Sequence, residues 1–577
     1  MGDTEAAGES VNHVGTPGGQ SRSLRLWLLA TGATCISFIP LVKPLFENGL
    51  ARGSDTVMHV GNVVEAAYLL REKPPSWDWL PDIAGGYGGP NYLYYNYLAF
   101  LFPSTLVNFG LTPDSAIRVW IGVLFLVAAV SSFLWCSLFG KALGGLIGAA
   151  QYLWAPYFFT LPYVRGSYPE FTAVALYPLL FYLTSVWIIK KARWSFLAAC
   201  IVFSLILCCH TLSLLLILPV ISLYALTVTI LVYKRPYLTR VGTFIVVPVL
   251  LSLPFLVGPL LEREKIDIVN QFKDAGLYNS SALPWPAVFN KTPLGNDIAS
   301  YIIPGRIHLL CWASAVTVVV SGLLKERVML RLAAVHVVAA FVAVLASTAP
   351  IASGLVAAVP VVRFLQFPWR FLGLFNLFAC AAFAICVNAI PPVYKGFLAV
   401  AVPIGCMLLY SGLIPMQNQN EFPTHSRAGI RSSLLTLDQE NKYMPKHSYL
   451  PKSVAPPVLL QVAAPEAHVR VLDEKLNDYT FVVEVNQEVS AWFHQYWFDN
   501  WRLEIDGKRK AMKRGGDLGI CTFAIPAGKH HVHIYFCSSG VMQIARCFSL
   551  CAWAGVISAI CVAGLKRFNK RVKGKYA

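Results

Sequence analysis

Apolar and polar segments alternate along most of the chain. Twelve apolar segments approach the roughly 20 residues that an α-helix needs to cross a bilayer. They are residues 24–42, 116–138, 142–160, 170–189, 195–210, 212–232, 239–261, 307–324, 328–346, 369–389, 395–413 and 541–564. Residues 92–112 are also apolar but contain Pro103, and they predict a surface-lying or re-entrant helix. The pattern predicts an all-α polytopic membrane bundle with about 12 transmembrane helices.

The periodicity changes to short alternating strands after residue 478. Strands are predicted at residues 479–485, 490–497, 501–505, 520–525 and 531–536. They predict a small antiparallel β domain over residues 479–540, before a last span at 541–564. A turn at Ala527-Gly528 would set Cys521 opposite Ile534. Residues 414–478, rich in Pro, Asn, Gln and charges, indicate a linker with little regular structure.

Composition agrees with a membrane protein. Of the 577 residues, 56% are hydrophobic and only 13% are charged, which is too apolar for a soluble protein of this length. The formal net charge is +17, and the positions of the cations carry more information than their number. Placing the amino terminus in the cytosol puts most loop cations there too, namely Lys141, Lys190, Lys191, Arg193, Lys234, Arg235, Arg240, Lys325, Arg327 and Lys395.

This charge bias predicts a topology. Residues 1–23 form a disordered cytosolic tail, residues 24–413 a transmembrane domain with a first exterior loop at 43–115, and residues 565–577 a basic cytosolic tail. The β domain then lies outside the cytosol. The basic tail lies beside a span, which favours anionic membrane lipid over nucleic acid as its partner. We predict a multi-pass protein of the plasma (inner) membrane, with both termini cytosolic and any active site extracytoplasmic.

Candidate chemistry begins in the first exterior loop, at Gly53-Ser-Asp-Thr-Val-Met-His-Val-Gly-Asn62. If residues 54–68 are helical, Asp55, His59 and Asn62 share one face that can look into a cavity. An ordinary amphipathic helix at the membrane surface would have the same pattern. Both interpretations remain open at this stage.

Further charges lie at the exterior ends of later spans. Arg165 and Glu170 flank the junction of the third and fourth spans, where charges are costly unless they are used. His210 ends the fifth span, and a histidine satisfied at a helix end is the alternative reading. Arg363 and Arg370 have guanidinium groups that suit a phosphate, although arginines at a span end also snorkel towards water.

Aromatic side chains are dense in the rest of the first loop. Flat rings there suit a sugar or a lipid channel, and they equally suit an interfacial aromatic belt. The glycines between them form no nucleotide-binding motif. The candidate sugar or lipid contacts are Trp77, Trp79, Tyr87, Tyr92, Tyr94 and Tyr95.

These segments resemble the GT-C superfamily of membrane glycosyltransferases, which take sugars from polyprenyl-phosphate carriers on the non-cytosolic face. They resemble more narrowly the YfhO-like and 6-pyruvoyl-tetrahydropterin synthase-related (PTPS-related) bacterial membrane proteins. The resemblance rests on Asp55, Gly85–Pro90, Ser167–Glu170, Gln366–Arg370 and Trp501–Gly507. Oligosaccharyltransferases have paired acidic residues in the second loop, whereas a single Glu170 stands here.

The resemblance implies an inverting transfer of a hexosyl or pentosyl group from a polyprenyl-phosphate donor to an extracytoplasmic glycan, lipid or protein. Asp55 would act as the base, with the other catalytic candidates orienting it or the acceptor: His59, Glu170 and His210. The donor phosphate would bind Arg165, Arg363 or Arg370. A divalent metal, Mg or Mn, would bind Asp55 and Glu170 if present, and the histidines would also admit Zn. A non-catalytic transporter or flippase and an assembly scaffold for lipid-linked glycans remain as alternatives.

Overall fold

The computed structural model combines a helical bundle with a carboxy-terminal β domain. It describes residues 27, 31–34, 37–51, 53–74, 76–267, 276–289, 302–414, 428–429, 431–432, 444–449, 451–456 and 459–573. The predicted tail at 1–23, parts of the predicted linker and the last residues of the basic tail lie outside these ranges.

The helices of the first half of the bundle, α1 to α9, are Ile39–Glu47, Thr56–Glu72, Asn91–Tyr94, Leu98–Asn108, Pro113–Leu153, Pro156–Thr160, Tyr168–Lys190, Arg193–Cys209 and Ser213–Tyr233. Those of the second half, α10 to α19, are Leu238–Leu251, Leu253–Leu261, Gly276–Ser280, Trp285–Phe289, Arg306–Val320, Arg327–Ala346, Ala349–Ala358, Phe371–Cys386, Pro392–Tyr410 and Gly540–Lys573. Short helical turns at Leu161–Arg165, Arg263–Lys265, Pro360–Leu365 and Pro368–Arg370 contribute to the sites described below.

The predicted count of 12 spans is not confirmed. Among the described residues, 7 helices are long and apolar enough to cross a membrane, or 8 if the bent pair α10 and α11 is one span. The segments 116–138 and 142–160 merge because α5 continues through a break at Lys141, where φ is 57°. Helices α8 and α14 have only 17 and 15 residues. The first predicted span falls partly outside the described residues.

Helix α17 forms the centre of the bundle. Every residue of α17 after Phe371 is buried, which fits its uniformly apolar sequence. Helix α5 approaches it closely at Gly140, where an added Cβ would lie 2.3 Å from the carbonyl oxygen of Ala384. Helix α4, with 11 residues and Pro103 inside it, is too short to span a bilayer, and its predicted surface-lying or re-entrant placement stays a prediction.

The β domain contains two antiparallel sheets. Its strands, β1 to β9, are Leu460–Val462, His468–Lys475, Asp478–Val485, Val489–Tyr496, Trp501–Ile505, Lys508–Lys510, Lys513–Gly515, Ile520–Ile525 and Gly528–Phe536. One sheet has the order β1-β4-β8-β7 and the other β2-β3-β9-β5-β6. The sheets share one apolar core, in which the rings of Tyr479 and Phe493 lie 5.3 Å apart. This is a β-sandwich.

Two expectations about this domain need correction. Strands β8 and β9 lie in different sheets, so Cys521 pairs with Phe493 and Arg514 rather than with Ile534. The chain crosses from one sheet to the other after Ile525, and the two-residue turn does not close a hairpin. The domain also begins at Leu460, inside the range 414–478 that the sequence assigns to a linker.

The first loop packs against the β domain. The indole Nε1 of Trp79 donates to Oε1 of Gln495 over 2.6 Å, and the main-chain N–H of Tyr496 donates to the carbonyl of Tyr87 over 2.7 Å. The bundle therefore has one end that carries residues 53–96, the 161–170 loop and the β domain. We call it the β-domain end.

Candidate functional site

The second loop begins the site at the β-domain end. The turn Leu161–Arg165 ends at Gly166, whose φ of 66° is one that glycine adopts without strain. The N–H of Ser167 then donates to the carbonyl of Leu161 over 2.9 Å, and α7 starts at Tyr168. This places Arg165 at the end of the turn and Glu170 in the first turn of α7, facing one another.

The carboxylate of Glu170 is fully engaged by basic and phenolic groups. Its Oε2 accepts from Nη1 of Arg165 over 2.8 Å and from Nε of Arg370 over 3.2 Å. Its Oε1 accepts from the hydroxyl of Tyr157. Glu170 and both arginines are at most 5% exposed. A carboxylate buried between two guanidinium groups is a strong organising element, because removing it leaves both cations uncompensated.

Arg370 is held by the segment Gln366–Arg370. Its Nη1 donates to the carbonyl of Leu365 and to Oε1 of Gln366, over 3.3 Å in the latter case. Gln366 has a φ of 65°, an unusual conformation for a residue other than glycine. The ring of Phe367 lies 5.5 Å from the guanidinium carbon of Arg165 and 5.2 Å from that of Arg370. These contacts occupy most of Arg370, whereas Nε and Nη2 of Arg165 make no hydrogen bond to a described residue.

His210 belongs to the same group of side chains. It lies between α8 and α9, and its Nδ1 is 3.0 Å from the hydroxyl of Ser213, which in turn is 3.1 Å from that of Tyr177. The charges of Glu170 and Arg370 both act on His210. Its Nε2 has no hydrogen-bond partner among the described residues, so that nitrogen is available to a ligand.

Asp55 reaches this group through the main chain. Its N–H donates to the carbonyl of Arg165 over 2.9 Å, and the hydroxyl of Ser54 donates to the same carbonyl over 3.1 Å. The predicted helix begins directly afterwards, at Thr56. The Asp55 side chain is half-buried and makes no hydrogen bond or ion pair with any described residue. Asp55, Arg165, Glu170 and His210, predicted separately, are therefore connected through direct contacts and nearby charges.

His59 has a different position from the one its catalytic assignment requires. Its Nδ1 lies 2.6 Å from the carbonyl of Gly166 and its Nε2 lies 2.9 Å from the hydroxyl of Tyr95. Both nitrogens are used inside the protein, and the ring is fully buried. Burial lowers the pKa of His59 from its ordinary value of 6.5. A neutral imidazole that donates to Gly166 and accepts from Tyr95 fits this position, so His59 positions the second loop.

The residues do not fit the metal site that the sequence left open. Both oxygens of Glu170 accept hydrogen bonds from Arg165, Arg370 or Tyr157, and two guanidinium groups compete with any cation for that carboxylate. Among the described residues, no three His, Cys, Asp or Glu side chains come together in a possible metal site. Glu170 is therefore better explained as the partner of the two arginines.

Arg263 and Arg363 form a second pair of arginines, of which the sequence predicted only Arg363. Arg363 lies with its guanidinium carbon 5.2 Å from the ring centroid of Phe364, and Arg263 lies 5.5 Å from the same ring. Arg363 was a candidate phosphate ligand, but Arg263 was missed because the sequence places it in a long loop after α11. Its position before Lys265 in a short helical turn offers no recognisable pattern.

Comparison with known proteins identifies the family of this chain. Residues 92–415, more than half of the chain, match the family model of the 6-pyruvoyl-tetrahydropterin synthase related domain, described as a membrane protein. The chain belongs to this family. The match confirms the PTPS-related part of the resemblance, while the GT-C part stays a prediction. A search of curated proteins found no match.

The matched region of this PTPS-related protein includes Arg165, Glu170, His210, Arg363 and Arg370. It begins at residue 92, so Asp55 lies outside it. The family therefore covers the arginine and glutamate cluster and α17, and it leaves the first part of the exterior loop and the β domain to be interpreted from their own geometry.

Most of the predicted aromatic contacts are structural in this PTPS-related protein. Trp79 is fully buried in the core of the β domain, and the ring of Tyr87 lies 5.7 Å from that of Tyr496, tilted by 32°. The hydroxyls of Tyr92 and Tyr94 donate to the carbonyls of Asn62 and Glu262. These four rings are not free to stack on a sugar. Tyr95 is half-buried and binds His59.

Trp77 lines a cavity. The cavity has a volume of about 350 Å³ and is lined by Ser76, Trp77, Tyr97, Leu101 and Arg546. The sequence did not indicate that Arg546 lines a cavity, because an arginine in the last span is expected to snorkel towards water. Nη2 of Arg546 is ion-paired with Oδ1 of Asp78 over 2.6 Å, so the cavity combines an aromatic wall with a neutralised guanidinium group.

Proposed function

We propose that this PTPS-related protein is a membrane glycosyltransferase of the GT-C type, which transfers a sugar from a polyprenyl-phosphate donor to an acceptor hydroxyl on the extracytoplasmic face. The acceptor is a glycan, a lipid or a protein. The observation that carries the proposal is the contrast between two neighbouring carboxylates. Glu170 is neutralised by two buried arginines, whereas the carboxylate of Asp55, held beside Arg165, accepts no hydrogen bond from a described residue.

The chemistry assigned to these groups is an inverting displacement. The acceptor oxygen forms a bond to the anomeric carbon while the bond from that carbon to the phosphate oxygen breaks. The acceptor proton passes to the carboxylate of Asp55, and the electron pair leaves with the polyprenyl phosphate. Arg165 has N–H groups left over to bind that phosphate, and Glu170 with Arg370 fixes its orientation. His210 offers Nε2 to a substrate hydroxyl.

The proposed position of the site on the extracytoplasmic face rests on the distribution of cations along the helices. Helix α7 begins at Tyr168 beside the site and ends at Lys190, and α9 begins at Ser213 and ends before Lys234. Both helices therefore carry their cations at the end opposite the site. Cations concentrate on the cytosolic side of membrane proteins, which favours a site that faces away from the cytosol.

Reconstitution into proteoliposomes with radiolabelled polyprenyl-phosphate sugars tests the proposal. We expect Asp55→Asn to lower transfer roughly 100-fold or more, the usual scale for loss of a general base. The matched control is Glu72→Gln, which removes an exposed carboxylate from the other end of the same helix. Full transfer by Asp55→Asn would overturn the proposal.

A non-catalytic carrier of lipid-linked glycans is the second candidate. The cavity at Trp77 and Arg546 favours it, because such a cavity binds a lipid whether or not chemistry follows. The same proteoliposomes separate the two candidates. Movement of the labelled lipid across the bilayer without any sugar transfer, unaffected by Asp55→Asn, would favour the carrier.

A further inference from the structure

A strongly basic segment of the β domain lies outside the proposed transfer site. Strands β6 and β7, with the residues between them, contain five exposed cations, Lys508, Arg509, Lys510, Lys513 and Arg514. None of the five pairs with a carboxylate of a described residue. The neighbouring Asp506 does not neutralise them, because its two oxygens bind Nδ1 of His530 and the N–H of His531, over 2.6 and 2.9 Å.

The sheet topology keeps these cations together. Strand β6 is the edge of one sheet and β7 is the edge of the other, so the chain crosses the open side of the sandwich between them. Lys510 pairs with Leu503, and Lys513 pairs with Thr522. Charged edges prevent sheets from pairing with other chains, and this protective role explains a few of the lysines. It does not explain the groove beside them.

That groove has a volume of about 240 Å³ and combines cations with aromatic rings. Its walls include Trp497, Trp501, Arg502, Arg509 and Lys510. Arg514 lies 4.8 Å over the ring of Trp497. Nε1 of Trp501 is buried and has no hydrogen-bond partner among the described residues. Aromatic rings beside guanidinium groups suit a sugar ring that carries a negative charge.

An ion pair links the groove to the bundle. Asp499 lines the groove, and its Oδ2 binds Nζ of Lys265 over 3.0 Å. Lys265 belongs to the turn Arg263–Lys265, and Arg263 shares the ring of Phe364 with Arg363. Lys265 also pairs with Oε1 of Glu262 over 3.2 Å, so this segment links the groove to the bundle through paired charges and not through free cations.

We propose that the groove at Trp497, Arg502, Arg509 and Lys510 binds an anionic saccharide chain. This inference deepens the proposed function, and it rests on that function only in treating the chain as the acceptor. The groove is smaller than ligand sites of about 300–1,000 Å³, so it holds one charged unit of a longer chain. A flat anionic bilayer would contact the exposed lysines without entering the groove.

The test uses full-length protein in nanodiscs of phosphatidylcholine. Binding of fluorescent oligosaccharides of equal length is measured by microscale thermophoresis, with carboxylated, phosphorylated and neutral forms as separate arms. We expect the two anionic forms to bind more tightly than the neutral form and to weaken as salt is raised. Arg509→Gln with Lys510→Gln should lower their affinity at least about tenfold, since one lost charged hydrogen bond has that effect.

The matched control removes two exposed cations from other strands of the same domain, with Lys475→Gln and Lys529→Gln. Equal loss in both double variants would show a general charge effect and overturn the site. Binding of the neutral form as tightly as the anionic forms would also overturn it. A third overturning result is binding to phosphatidylglycerol vesicles without binding to any oligosaccharide.

The two proposals fail separately. Asp55→Asn should keep oligosaccharide binding, since Asp55 lies outside the groove. If an acceptor is still glycosylated while no anionic chain binds, the groove proposal is wrong and the transferase proposal stands. If the groove binds the chain while no sugar is ever transferred, the groove survives as a binding site and the transferase proposal fails.

Discussion

The main-chain N–H of Asp55 donates a hydrogen bond of 2.9 Å to the carbonyl oxygen of Arg165. This contact joins the first loop to the second across more than a hundred residues of sequence. The hydrogen bond from His59 to Gly166 reinforces the same junction. The position of the Asp55 carboxylate therefore depends on the backbone of the second loop, and the junction can be tested apart from the chemistry.

Gly166→Ala should separate the two loops. Gly166 has a φ of 66°, and an added Cβ would lie 2.2 Å from Oγ1 of Thr56. Backbone strain and the steric clash together should cost about 2 kcal/mol or more of unfolding free energy. Thermal denaturation in detergent should show a lower Tm, and the transfer assay should show lower activity.

Gly110→Ala is the control for strain alone. Its φ is 100°, yet an added Cβ would meet no atom within 4 Å. This variant should lower the Tm less and keep transfer. If both variants lost transfer equally, the junction between Asp55 and the second loop would not be what positions the site.

Glu170→Gln should destabilise the protein more than it changes any single catalytic step. The substitution leaves the buried guanidinium groups of Arg165 and Arg370 without a counter-charge, and breaking a buried ion pair costs about 3–5 kcal/mol. Tyr157→Phe removes one hydrogen bond from the same carboxylate and should cost about 1 kcal/mol. The measurement is the unfolding midpoint of each variant in detergent. A Glu170→Gln protein as stable as the wild type would contradict the ion-pair role.

Acid should destabilise the junction through His59. Burial holds the folded-state pKa of His59 below 6.5, so the unfolded chain takes up a proton first as the pH falls. The stabilisation from the neutral imidazole is complete above about pH 6.5 and is lost as the pH falls below it.

The measurement is the Tm as a function of pH between 5 and 8. His59→Gln cannot be protonated in this range, so we expect its Tm to vary less with pH than that of the wild type. Equal slopes for the two proteins would assign the pH dependence to other groups.

The sequence predicted the main features of the site because charges at membrane depth are costly. Asp55, Arg165, Glu170 and His210 were conspicuous in apolar surroundings, and the structure brings them together. Their individual roles were not predictable. Whether a carboxylate is neutralised depends on residues 200 positions away, as the contact of Glu170 with Arg370 illustrates.

The apolar segments predicted a helical membrane bundle, but the structure does not confirm the predicted number of spans. Apolar length was a sound guide for α7, α9 and α15, which have 23, 21 and 20 residues. It was a poor guide for α10 and α11, since a run of apolar residues does not reveal a bend of 78°. The sequence also did not reveal that the chain crosses from one sheet to the other after Ile525, because a short turn is compatible with both a hairpin and a crossover.

The aromatic residues were over-interpreted for a physical reason. The presence of Trp and Tyr in a sequence does not show whether their rings stack on a sugar or fill a core. Trp79 and Tyr94 hydrogen-bond inside the protein, whereas Trp77 lines a cavity. Arg263 and Arg546 were missed because each is a single cation in a segment with another obvious interpretation.

Arg263 and Arg363 should act together on the phosphate of the donor. Both guanidinium groups lie against the ring of Phe364, so a phosphate bound by one is within the electric field of the other. We expect Arg263→Gln and Arg363→Gln each to raise the KM for the lipid-linked donor about tenfold, with a smaller effect on kcat. Arg240→Gln, at the opposite end of the bundle, should change neither constant.

The double variant decides whether the two arginines share one ligand. Residues that bind the same group are not additive, so the double variant should lose less than the product of the two single losses. Strict additivity would mean that the arginines act on separate groups. In that case Arg363 alone would remain at the donor phosphate.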